Sequence, residues 1–181
     1  CIRDRDIEHA INEVNQAKKQ LRGKQKLYQT IDLADKELSK LDDLTSQQSS
    51  SISNQIYTAK TRTEVAQAIE KAKSLNHAMK ALNKVYKNAD KVLDSSRFIN
   101  EDQPEKEAYQ QAKNHVDSII HRQTNPEMDP TVINSITHEL ETAQNNLHGD
   151  QKLAHAKQDA ANVINGLIHL NVCLLYTSDA A

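Results

Sequence analysis

The sequence predicts an all-α chain of tandem three-helix bundles, joined by shared long helices into an elongated rod. Three observations carry that prediction. The 181 residues include only three Gly and three Pro, far too few turn formers for a sandwich, a barrel or an alternating α/β domain. Apolar residues recur at spacings of three and four along most of the chain. The chain also repeats itself: Leu21-Arg22-Gly23-Lys24-Gln25-Lys26-Leu27 aligns with Leu147-His148-Gly149-Asp150-Gln151-Lys152-Leu153 at an offset of 126 residues (149 − 23). At the same offset Ile7, Glu13, Ala17, Ala34, Leu41 and Leu44 meet Ile133, Glu139, Ala143, Ala160, Leu167 and Leu170 without a gap. A period of that size exceeds one solenoid unit, so each period should hold more than one small bundle.

Taken in order, Leu27, Ile31, Ala34, Leu38 and Leu41 form one helical stripe that Asp42-Asp43 should end. Thr45 with Gln48 has the form of a capping box, and Ile52, Ile56 and Ala59 mark a short second helix rich in Ser and Gln. Thr61 with Glu64 is a second capping box. Behind it Val65, Ile69, Ala72, Leu75, Met79, Leu82, Tyr86, Ala89 and Leu93 keep their phase, which predicts one continuous helix over 62–94, about 50 Å long at ~1.5 Å per residue. That helix should finish one bundle and begin the next. The stripe fades between Ser95 and Gln103. Pro104 suits the first turn of a further helix, where its missing N–H costs nothing. Ala108, Ala112, Val116, Ile119 and Ile120 form the buried face of that helix, and Asn125-Pro126 should stop it, because the residue before proline is pushed out of the α region. Asp129 as N-cap and Pro130 in the first turn open a helix carrying Val132, Ile133, Ile136, Leu140, Ala143 and Leu147. Gly149, like Gly23, is either a C-cap or a weak joint in a helix running on through Leu153, Ala156, Ala160, Ile164 and Leu167, and its repetition favours a junction between bundles.

The two ends read differently. Cys1-Ile2-Arg3-Asp4-Arg5 can be encoded by TGT ATA AGA GAC AG, and the reverse complement of that string encodes Cys-Leu-Leu-Tyr, the peptide at Cys173 to Tyr176. With Thr177 to Ala181 the whole resembles translated transposon adapter from sequencing-library preparation. Residues 1–5 and 173–181 are therefore expected to be adapter, leaving a native stretch from Asp6 to Val172 without cysteine. The disulfide and oxidising compartment that two terminal cysteines would imply then lose their basis.

Composition excludes several functions. With 23 Lys+Arg against 25 Asp+Glu the net charge is −2, which supplies no field for nucleic acid or an anionic membrane. Mean hydropathy is −0.76, and no apolar run approaches the roughly 20 residues of a membrane span. His115 and His121 fall on different helix faces, and His148 and His155 lack metal-ligand spacing. Asp42-Asp43 and Glu101-Asp102 read as helix ends and turns in an open polar setting, not as acid and base. The three glycines are isolated, so no phosphate loop exists. Met79, Leu82 and Tyr86 belong to the bundle seam. The sequence thus assigns no catalytic, cofactor or metal residue. One candidate ligand surface remains: Lys80, Lys84, Lys87 and Lys91 recur on one helical side at steps of four, three and four.

Several motifs together resemble a known family. Leu75-Asn76-His77-Ala78-Met79-Lys80-Ala81-Leu82, Thr124-Asn125-Pro126-Glu127-Met128-Asp129-Pro130, Leu147 to Ala154, and Ile164-Asn165-Gly166-Leu167 with Leu170-Asn171 resemble the giant extracellular matrix-binding surface proteins of staphylococci. In that family GA modules alternate with FIVAR modules in a long rod at the cell wall. The resemblance covers essentially all of 6–172. It implies the end of a FIVAR module at 6–23, a GA module at 24–83, a FIVAR module at 84–148 and the first helix of the next GA module at 149–172. It further implies a non-enzymatic adhesin segment, monomeric within a tandem array, that binds host matrix proteins such as fibronectin weakly and multivalently. Albumin binding does not carry over: related GA modules make that contact mainly through an apolar second helix, whereas Leu44-Thr45-Ser46-Gln47-Gln48-Ser49-Ser50-Ser51-Ile52-Ser53 is polar. A purely structural cell-wall stalk without a ligand is the alternative.

Overall fold

The computed structural model of the chain describes residues 2–167; Cys1, Cys173 and the adapter-like residues 173–181 lie outside that range. All regular structure among the described residues is helical: α1 (Ile2–Gln20), α2 (Gly23–Leu38), α3 (Ser46–Thr58), α4 (Arg62–Tyr86), α5 (Ala89–Leu93), α6 (Ser96–Ile99), α7 (Gln103–Ile120), α8 (Pro130–Asn145) and α9 (Gly149–Gly166). The described residues divide into two compact units, 2–77 with 124–128 and 78–123 with 129–167, so that the division falls inside α4.

In the first unit the buried set comes from three helices: Ile31, Ala34 and Leu38 of α2, Ile52 and Ile56 of α3, and Val65, Ala68, Ile69, Ala72 and Leu75 of α4. Each fully buried aliphatic side chain contributes roughly 1.5–3 kcal/mol relative to exposure. Both capping boxes form. Thr45 Oγ1 accepts from the Gln48 N–H at 3.2 Å while Gln48 Oε1 accepts from the Thr45 N–H at 2.9 Å. Thr61 and Glu64 exchange the equivalent bonds at 3.2 Å each. The helix α2 ends at Leu38, earlier than the Asp42-Asp43 stop read from the sequence. Ser39 turns the chain there, its N–H donating to Asp35 and its hydroxyl to Lys36. Asn76 Oδ1 then holds the Asp43 N–H at 3.0 Å, tying the α2–α3 loop to α4.

The second unit buries Ala78, Met79 and Leu82 of α4, Ala89, then Tyr109, Ala112, Val116 and Ile119 of α7, and Ile133, Thr137, Leu140, Ala143 and Leu147 along and just beyond α8. Several positions differ from the stripes read in the sequence, and Val132, Ile164 and Leu167 are exposed. Ala108 is exposed and Tyr109 is fully buried in its place. Thr137, not Ile136, lies deepest in its turn, and its hydroxyl is satisfied by the Ile133 carbonyl at 2.8 Å.

The continuous helix expected over 62–94 does not form. After Tyr86 the Asn88 N–H bonds to Val85, one residue short of the α pattern, and the chain turns before α5. Tertiary bonds hold the turn: Tyr109 Oη donates to the Ala89 carbonyl at 3.0 Å, and the Tyr86 hydroxyl donates to Asp117. At 25 residues α4 is ~37 Å long. The fading stripe after Ser95 contains the short helix α6, capped by the Ser95 hydroxyl on the Phe98 N–H.

The helix α7 also stops earlier than Asn125-Pro126, at Ile120, with His121 as C-cap. Asn125 adopts φ 48°, the left-handed region instead of the extended one, which Asn tolerates better than most residues. Gly23 and Gly149 are neither C-caps nor mid-helix joints. Each is the first residue of a helix, behind Arg22 and His148, and neither has positive φ.

Candidate functional site

Lys80, Lys84, Lys87 and Lys91 are all exposed. Lys80 and Lys84 lie one turn apart on α4, Lys87 stands in the turn after it, and Lys91 lies on α5. The helical register that would place all four on one side is therefore broken between Lys84 and Lys91. Lys84 also lines an open cleft of about 560 Å³ within the second unit, together with Ala81, Val85 and Asn88 on one wall and Glu141, Gln144 and Asn145 of the α8 end on the other. A cleft of this composition offers a cation, a carboxylate and several amides beside two small apolar side chains. That chemistry suits a polar peptide surface better than a small apolar ligand.

A second polar cluster joins the α4 end and α5 to α7. Lys113, largely buried, bridges Asp90 at 3.2 Å and Asp117 at 3.1 Å and stands 5.5 Å over the Tyr86 ring. Burial opposes its charge, but the bonds to Asp117 and Asp90 outweigh that and raise its pKa. His121 meets the Tyr86 ring edge-on at 6.5 Å, and His115 pairs with Glu139 at 3.1 Å on the surface.

Glu101 departs most from its sequence reading. It is not in an open setting: its side chain is 1% exposed. Its carboxylate accepts from the Lys152 ammonium, from the His148 N–H and from the Asp102 N–H. Those bonds, the Lys152 bond foremost, lower its pKa to about 2. Lys152 also reaches Asp102 at 2.5 Å, and Arg97 donates to the carbonyls of Leu147 at 2.5 Å and Asn145 at 3.1 Å. The end of α8 and the start of α9 are thereby held against the corner between α6 and α7. Gly149 completes the joint, since a Cβ there would lie 2.7 Å from Asn100 carbonyl carbon and the Glu101 nitrogen. Glu105 brings a third carboxylate within 4.8 Å of Glu101 and Asp102. Lys152 bridges the first two of them as an ion-pair lock. Only the glycine marked this joint in the sequence.

Two family models match. The GA module model matches residues 24–78 and 150–172, and the FIVAR domain model matches residues 78–148. The chain is 42% identical over 166 residues to the extracellular matrix-binding protein EbhA of Staphylococcus aureus strain N315, and equally to the extracellular matrix-binding protein ebh of strain NCTC 8325. The chain belongs to the GA-module and FIVAR-module repeat family of staphylococcal extracellular matrix-binding proteins. In both comparisons the match covers 92% of this chain and 2% of the relative, so the chain spans a small part of those proteins' length. Two solved members of this repeat family share its fold. A crystal structure of an EbhA domain from S. aureus superposes with a TM-score of 0.72 at 27% identity, covering 91% of this chain and 68% of that one. A structure from work on Embp-mediated adherence of Staphylococcus epidermidis to fibronectin superposes with a TM-score of 0.65 at 35% identity, covering 69% of this chain and 99% of that one.

Proposed function

We propose that this chain is a non-enzymatic repeat segment of a bacterial cell-surface adhesin, exposed outside the cell, that binds a host matrix protein of the fibronectin class weakly and multivalently while serving as a spacer. The observation that carries the reading is the match to the Embp segment, nearly all of which this chain covers, from work on adherence to fibronectin. In support, no helix among the described residues is long and apolar enough to cross a membrane, and the exposed faces are polar and mixed in charge. Lys80, Lys84, Lys87 and Lys91 with the adjoining cleft form the contact surface in this reading. Modules each burying a small core and linked in tandem gain avidity by repetition, since linked weak sites raise overall affinity by about 10²–10⁴ without new contacts.

The test is solid-phase binding of the full chain, single and in tandem, to immobilised fibronectin and albumin. Tandem chains should be retained on fibronectin far longer than the single chain, and albumin should retain neither. Replacing the four lysines by Gln should abolish retention. Tandem chains that bind neither protein would leave the stalk without a ligand.

A further inference from the structure

The helix α3 carries no charged residue over Ser46–Thr58, in a chain of which 27% is charged. Its outer face is built largely of serine, a weaker helix former than the Lys, Glu and Gln that usually cover such a face. Many helical hydroxyls in this chain turn back on their own backbone: Thr30, Thr58, Ser118 and Thr137 each donate to a carbonyl three or four residues earlier at 2.7–2.8 Å. Ser49, Ser50 and Ser53 do not. Among the described residues their hydroxyls have no hydrogen-bond partner, and all three line an open groove of about 500 Å³ between α2 and α3. Asn54 and Tyr57 extend the two rows by one turn from Ser50 and Ser53, and Asp35 lines the groove from α2. Tyr57 is 58% exposed, and among the described residues neither its ring nor its hydroxyl has a partner.

The groove has the size of a small-ligand site, about 300–1,000 Å³, but not the usual apolar lining. Buried Leu38 is the one aliphatic side chain on it, and Asp35 the one charged group. An apolar ligand finds too little surface there, and a phosphate, sulfate or uronate meets a carboxylate with no cation beside it. A ligand dense in neutral hydroxyls fits the set. Each of its hydroxyls both donates and accepts, and so do the serine hydroxyls and the Asn54 amide, while the Asp35 carboxylate accepts from two neighbouring hydroxyls at once. The open face of Tyr57 supplies the apolar platform on which the C–H side of a sugar ring packs, with the phenol left to hydrogen-bond at its edge. We infer that the α2–α3 groove is a binding site for a neutral saccharide, with Tyr57 as the stacking platform and Asp35, Asn54 and the serines 49, 50 and 53 as its hydroxyl partners. None of these residues belongs to the Lys84 cleft. Failure to bind fibronectin leaves the inference standing, and failure to bind saccharide leaves the adhesin reading standing.

The test is an NMR titration of the full chain with two neutral tetrasaccharides, one of N-acetylhexosamine as in a bacterial wall and one galactose-terminated as on host glycoproteins. A heparin-derived tetrasaccharide is the anionic comparison. At least one neutral probe should shift the amides of residues 35–39 and 49–57 saturably, with a Kd on the order of 1 mM for so open a site. Whichever neutral probe binds more tightly identifies the source. Tyr57→Ala should weaken binding about tenfold, while Tyr57→Phe, which keeps the ring, should stay within about twofold. Asp35→Asn, nearly isosteric, should also cost about tenfold through loss of the charged acceptor. Neither position belongs to the core, so the remaining amide shifts of each variant should match those of the native chain. Absence of saturable shifts with both neutral probes would overturn the inference, as would shifts confined to residues outside the groove. So would heparin fragments binding the groove as tightly as the neutral probes, or an affinity indifferent to both Tyr57→Ala and Asp35→Asn.

Discussion

The side-chain amide of Gln48 donates to the backbone carbonyl of Glu127 at 2.8 Å, across 79 residues of sequence. Gln48 is 1% exposed and also closes the capping box at the start of α3. The segment 124–128 is thereby folded into the first unit, away from the chain that flanks it. A glutamine in a Ser- and Gln-rich helix start reads as surface; buried with both ends of its amide satisfied, it is structural.

Gln48→Leu should therefore destabilise the first unit although it adds apolar surface. The Glu127 carbonyl and the Thr45 N–H both lose their partner, at about 1–3 kcal/mol for a buried group left unsatisfied. Thr45→Ala should cost about 1 kcal/mol through the cap alone. Urea unfolding monitored by exchange of α3 amides measures both.

Glu101 makes the second unit sensitive to acid. Its carboxylate is held at about 2 against an ordinary 4.5, so its contribution is complete above pH 4.5 and is lost as pH falls toward 2. Between those values thermal unfolding of the native chain should lose stability more steeply than that of Glu101→Gln. Parallel curves would show that the lock does not contribute.

Tyr109 makes the same unit sensitive to base. Burial pushes its phenol up to about 12 from 10. A raised acid stabilises the fold fully below pH 10, and that contribution is lost as pH rises through 12. Tyr109→Phe should remove this dependence and cost about 1 kcal/mol at neutral pH, since the Ala89 carbonyl loses its donor. Melting temperature across pH 9–12 is the measurement.

The two glycines should respond differently in the chain as it stands. Gly149→Ala forces a Cβ into backbone that has no flexible end to yield and should cost about 1–3 kcal/mol. Gly23→Ala should stay within about 0.5 kcal/mol. Midpoints of urea unfolding for the two variants compare them directly.

How much of this was legible depends on the range of the forces involved. Helix type and phase, both capping boxes, the Asp129 cap and the 126-residue repeat are local or periodic properties of the sequence, and they determined the all-α fold, the family and most core positions. Where helices end was not local. Leu38, Tyr86 and Ile120 close their helices several residues before the sequence breaks the pattern, and past Tyr86 the Tyr109 hydroxyl on α7 donates to the Ala89 carbonyl while Tyr86 itself donates to Asp117 on α7. The stripe cannot say which apolar neighbour faces inward, so Tyr109 displaced Ala108. Nor can it distinguish a solvated glutamate from Glu101, buried on the N–H of His148 and the ammonium of Lys152. The repeat of Gly23 and Gly149 announced a joint. Only the tertiary structure decided what the joint is for, because the lock depends on backbone and charge brought together from about 50 residues away.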